Sequence, residues 1–129
     1  MQSKTIYSHR RKLKVLPTLF VVWVGFSLFA CTNNLIKNFP LADQGLLNHA
    51  KKTDHQATLS TLDRGRQLYL TKCSSCHRAY PIGKYSTSQW QEILHEMSMN
   101  AKFNLQQEKD VTLYVLSLRQ LLAQAATVR

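Results

Sequence analysis

Residues 68–81, "LYLTKCSSCHRAYP", decide how this 129-residue chain is read. Cys73 and Cys76 stand two residues apart, and His77 follows directly. Cys-x-x-Cys-His has three chemical uses: a covalent haem anchor, half of a zinc knuckle, or a redox dithiol. In a haem anchor each position has a task. The two sulfurs form thioether bonds to the vinyl groups on one porphyrin edge, and the two-residue spacer sets their reach. The adjacent imidazole is then aimed at the iron as proximal ligand.

The rivals lack their other parts. A zinc knuckle needs four ligands, commonly two such pairs, and the chain has three cysteines in all. A thioredoxin-like dithiol sits among strands, and no stretch here reads as a strand pair. The motif is therefore read as the attachment site of one haem c, with Cys73 and Cys76 bonded to the ring and His77 on the iron.

The third cysteine belongs to another feature. Lys4, Arg10, Arg11, Lys12 and Lys14 precede residue 15, and no charge follows until Lys37. Between them lies "LFVVWVGFSLFAC", residues 19–31. A basic stretch, an apolar run and a small residue make an export signal, and a run this short is below bilayer length. Leu28-Phe29-Ala30-Cys31 resembles a bacterial lipoprotein box, with Phe29 departing from the small residue usual there. That resemblance implies removal of residues 1–30 and a lipid on Cys31. A plain signal peptide, or an uncleaved anchor with a buried Cys31, is the alternative. Thr32, where aspartate would signal inner-membrane retention, points to the outer membrane in a Gram-negative cell. The expected location is periplasmic and membrane-anchored.

Export also accounts for half of the charge. The formal net charge is +10, from 17 Lys+Arg against 7 Asp+Glu. Without the five basic residues of the leader it falls to about +5. No basic stripe interleaved with aromatics supports nucleic-acid binding.

Residues 31–59 read as a lipidated, flexible tether: polar, with Pro40, Gly45 and scattered leucines. His49 and His55 there are expected on the surface. The haem domain is expected over residues 60–124, all-α, with three helices. The first starts near Ser60, capped by Ser60 or Thr61, and runs into the cysteine motif. The second covers 87–98, with Ser86 and Gln89 as a capping box. Its Trp90, Ile93, Leu94 and Met97 make one apolar stripe. The third covers 105–124 behind Asn104 and Gln107, burying Val111, Tyr114, Val115, Leu118, Leu121 and Leu122. Such a core is small for independent stability, and a haem between the helices would enlarge it.

"GRQLYLTKCSSCH", residues 65–77, resembles the opening helix of the monohaem cytochrome c family. The stretch from Trp90 through Met97 and Ala101 to Leu105 is similar to small exported bacterial members. The likeness covers about residues 60–122. It implies a close crossing of the first and last helices at Gly65 against Tyr114. It also implies a methionine as distal iron ligand: Met97, with Met99 as alternative and His95 after both. His77 would be steadied by a backbone carbonyl, with Pro81 the nearest candidate. Trp90, Tyr80 and Tyr85 are candidate donors to the haem propionates or simple packing residues, and Arg78 is a candidate counter-ion.

The function implied is one-electron transfer without catalysis of its own. Arg64, Arg66, Lys72, Arg78, Lys84 and Lys102 would steer acidic redox partners. Two other readings stand beside it. One is a five-coordinate haem sensor or peroxidase-like protein, with His95 or His49 on the distal side. The other is the electron-accepting subunit of a periplasmic dehydrogenase.

Overall fold

The computed structural model describes residues 38–128, so the export signal and Cys31 lie outside the described residues. Four α-helices follow one another: α1 Gln44–Ala50, α2 Leu59–Thr71, α3 Thr87–Asn100 and α4 Leu105–Thr127. Two 3-10 turns, Cys73–Ser75 and Ile82–Lys84, break the α2–α3 connection. The described residues contain no strand, so the fold is small and all-helical, as expected of a cytochrome c-like domain.

The caps set the boundaries. Thr58 accepts the Thr61 amide at 3.1 Å and starts α2, two residues ahead of the expected Ser60. Ser86 and Gln89 close a full capping box on α3, and Asn104 and Gln107 close another on α4. Each satisfies amides that a helix start leaves without partners. α3 ends in a Schellman turn: Phe103 N–H donates to Ser98 O and Lys102 N–H to Met99 O.

α4 is the central element, and α1, α2 and α3 all pack on it. Its Val111, Tyr114, Val115 and Leu118 are buried with Leu62 and Tyr69 of α2 and Trp90 and Leu94 of α3. Leu121 is half-buried and Leu122 is 41% exposed, so the buried stripe of α4 stops earlier than its sequence suggests. At the α2–α4 crossing, a Cβ on Gly65 would overlap the Asp110 carbonyl and lie 2.9 Å from Tyr114 Cβ. Only a residue without a side chain allows this approach.

The expectation of a flexible tether up to residue 59 does not hold from residue 38 onward. Phe39, Leu46, Leu47, Ala50 and Ala57 belong to the core. Asp43 caps α1 through the Leu46 amide. Ahead of it, Arg66 Nε donates to Phe39 O at 2.8 Å and Tyr114 Oη to Pro40 O at 3.0 Å. The Ala42 amide donates to Asp63 at 3.2 Å. The segment is poor in apolar residues because much of its docking uses backbone carbonyls and amides, which composition does not report. His49 is buried as well, 8% exposed, while His55 is exposed as expected.

Candidate functional site

A cavity of about 220 Å³ lies where α2, the 72–86 loop and α3 meet. Tyr69 and Cys73 line it from the end of α2 and the turn after it. His77, Ala79, Tyr80 and Tyr85 line it from the loop, and Trp90, Ile93, Leu94 and Met97 from α3. The apolar stripe of α3 thus serves both the core, through buried Trp90 and Leu94, and the cavity wall.

Three side-chain donors hold the loop in place. Tyr69 Oη donates to Tyr80 O at 2.6 Å. Trp90 Nε1 donates to Ile82 O at 2.8 Å, and Arg119 Nε to Tyr85 O at 2.7 Å. A loop beside a core needs such partners, because an unpaired buried carbonyl costs about 1–3 kcal/mol. Burial pushes the Tyr69 phenol far above its usual range, so it stays a neutral donor. The rings form a ladder. Centroids are 6.0 Å apart for Tyr69–Trp90, 5.3 Å for Trp90–Tyr85, 5.6 Å for Tyr85–Tyr80 and 5.0 Å for Tyr80–His77.

His77 Nδ1 lies 2.9 Å from the Arg78 carbonyl. A carbonyl only accepts, so Nδ1 carries the proton and the Nε2 lone pair is left for another partner. The expected acceptor near Pro81 is corrected: Pro81 O receives the Lys84 amide instead. Cys73 is half-buried, and burial pushes its thiol up to about 11. Cys76 is exposed and does not line the cavity.

The cavity separates the sequence candidates. Cys73, His77 and Met97 share one wall system. Met99 is 62% exposed and absent from it. His95 is also outside, its Nδ1 3.1 Å from Glu108 at an exposed site. His49 is buried in α1, again outside the lining residues. Trp90, a candidate propionate donor, has its only N–H committed to Ile82. The sequence gives Arg119 only one cue for its hold on the loop, a lone cation among the leucines of α4, between Leu118 and Leu121.

This donor set fits a c-type haem: a thiol, an imidazole with a free nitrogen and a thioether, around an aromatic, apolar cradle. Among the described residues, no three His, Cys, Asp or Glu side chains converge as a bare metal site would require.

Residues 69–127 match the model of a family described as dihaem cytochrome c. The matched segment contains the Cys73–His77 motif and all of α3 and α4. The match supports a c-type cytochrome and haem-based electron transfer in general. The description names two haems, whereas the chain holds one Cys-x-x-Cys-His. No curated protein matches the chain, and no solved structure does.

Proposed function

We propose that this c-type cytochrome domain is a one-electron carrier with a single haem c, bonded to Cys73 and Cys76 and ligated by His77 and Met97. The observation that carries the reading is the shared cavity: it brings the Cys73 sulfur, the His77 imidazole and the Met97 thioether together and leaves Met99, His95 and His49 out. Bound there, the haem supplies an iron that cycles between ferrous and ferric states. The chain does the rest. His77, steadied through Arg78 O, offers Nε2 in a fixed orientation. Met97 offers a neutral sulfur, which favours the ferrous state. The aromatic walls exclude water, so charge change on the iron meets little solvent rearrangement. Ligation by both His77 and Met97 would leave no open position for a substrate, which favours a carrier over a sensor or a peroxidase-like protein.

The cysteines support one haem on this chain: besides the motif only Cys31 remains, and the lipoprotein-like box would give it a separate role. We assign the carrier to the outer face of a membrane, anchored by lipid on Cys31, with acidic redox proteins as partners. Lys72, Arg78 and Lys84 are exposed around the motif and loop, and no acid occurs between Asp63 and Glu92.

Replacing Met97 and Met99 separately by alanine tests the ligation. Met97→Ala is expected to abolish the methionine–iron charge-transfer band of the ferric protein and to open the reduced haem to carbon monoxide. Met99→Ala should keep the band. A band surviving Met97→Ala overturns the assignment.

A further inference from the structure

Met99 and His95 take no part in the cavity, yet they stand one turn apart on α3. We propose that they form a second, separate metal site for a soft monovalent ion, Cu⁺. The ion is held between His95 Nε2 and the Met99 thioether, with Glu108 as the outer partner of the imidazole.

One face of α3 carries the parts. Glu92, His95, Glu96 and Met99 fall at i, i+3, i+4 and i+7, and all four are exposed. The stripe of Trp90, Ile93, Leu94 and Met97 runs along the opposite side and lines the cavity. A metal at Met99 and an iron at Met97 therefore draw on different sulfurs. Residues four apart on a helix have their Cβ atoms about 5–6 Å from each other. Long helical side chains lean back towards the N-terminus, which brings the Met99 thioether within reach of His95. The backbone beneath Met99 is fixed, since its carbonyl accepts the Lys102 amide at 3.1 Å in the turn that ends the helix.

His95 is already oriented. Its Nδ1 lies 3.1 Å from Glu108 Oε1, in the first turn of α4. A carboxylate only accepts, so Nδ1 carries the proton and Nε2 keeps its lone pair. A carboxylate behind the imidazole is the common outer support of a metal-bound histidine. The surroundings also favour a cation. Glu92, Glu96 and Glu108 are three of the seven acids of the chain, gathered at one corner of a basic protein. Lys109, the neighbour of Glu108, is drawn away to Asp54 at 3.0 Å. The donors choose the ion. A thioether is a soft ligand and imidazole suits copper, so the preference they share is Cu⁺. Zinc asks for four ligands, and among the described residues no three His, Cys, Asp or Glu side chains converge. A soft monovalent ion is satisfied by fewer donors.

The test is titration of the ferric, haem-loaded protein with Ag⁺, a redox-silent stand-in, and of the reduced protein with Cu⁺ in the absence of oxygen. The unaltered chain should take up one ion, the Met99 methyl resonance should shift, and the haem absorption spectrum should stay as it was. Met99→Leu and His95→Gln should each abolish uptake. Glu108→Ala should weaken it about 10-fold, as loss of an outer carboxylate does. Glu92→Gln with Glu96→Gln should weaken it by less, and by an amount that added salt removes. An excess of Zn²⁺ should not compete. An unaltered chain that binds neither ion overturns the site, as does uptake that survives Met99→Leu or His95→Gln. Uptake that leaves the Met99 resonance in place, or that Zn²⁺ abolishes, overturns it as well. The haem reading stands whichever way this falls, because it uses neither residue.

Discussion

Cys73 and Cys76 differ as chemical groups before any haem is attached. Burial raises the Cys73 thiol from 9.0 to about 11, while Cys76 is exposed. The thiolate is the reactive form, so at pH 8 Cys73 should react roughly 100-fold more slowly than an ordinary thiol. In haem-free folded protein, iodoacetamide followed by peptide mapping is expected to mark Cys76 first; equal rates would show that Cys73 is not shielded. The same shift sets a stability window. A thiol with a raised folded pKa is protonated more firmly in the folded state, so its contribution is complete below pH 9 and is lost as pH rises from 9 through about 11. Urea midpoints of the haem-free chain should fall across that range, and Cys73→Ala should flatten the fall. Thioether formation at Cys73, as proposed above, would remove the group and with it this dependence. At this scale the sequence already spelled out the Cys-x-x-Cys-His motif, because that pattern is local. It did not reveal Arg78 as the carbonyl that holds His77, or Arg119 as a loop clamp, since both depend on where the loop turns.

Helices were legible where their ends are written in side chains. Ser86 with Gln89 and Asn104 with Gln107 announced α3 and α4, and both capping boxes formed. α1 was missed because it is only seven residues long and its stabilisation is tertiary: buried Leu46, Leu47 and Ala50, with hydrogen bonds to Phe39 and Pro40 just before it. Two substitutions test the element packing. Gly65→Ala drives a methyl group into the Asp110 backbone and should cost about 3 kcal/mol or more, since α2 and α4 must part. A urea midpoint within experimental error of the parent would mean that the crossing is looser than described. Lys102 is the opposite case. It closes the Schellman turn with φ 55°, a left-handed position that penalises any Cβ by about 1–2 kcal/mol. Allowing for the greater freedom of glycine in the unfolded chain, Lys102→Gly should raise stability by about 0.5–1 kcal/mol, read as a higher urea midpoint with an unchanged slope.

For the whole molecule, docking of residues 39–57 changes what a lipid on Cys31 would do. A 28-residue tether would let the domain swing between partners. With Phe39 and Pro40 fixed to Arg66 and Tyr114, only seven peptide units separate Cys31 from Asn38, at most about 25 Å even if fully extended. A domain of this size has a radius of gyration of about 12 Å, so that leash is shorter than the domain is wide. Lipidation at Cys31, as proposed above, would therefore keep the haem site at the membrane surface, where it can roll but not travel. The redox partner would have to present its docking face at the same surface. Energy transfer tests this in vesicles bearing dye-labelled headgroups, using lipidated protein with a donor on Gln124→Cys, an exposed site of α4. Transfer should be efficient for the parent. It should drop when a 20-residue Gly/Ser segment, about 25 Å in mean reach, is inserted between Lys37 and Asn38. It should vanish with Cys31→Ala. Weak transfer that the insertion does not change would show the domain already standing away from the bilayer. Efficient transfer that survives Cys31→Ala would move the anchor to another part of the chain.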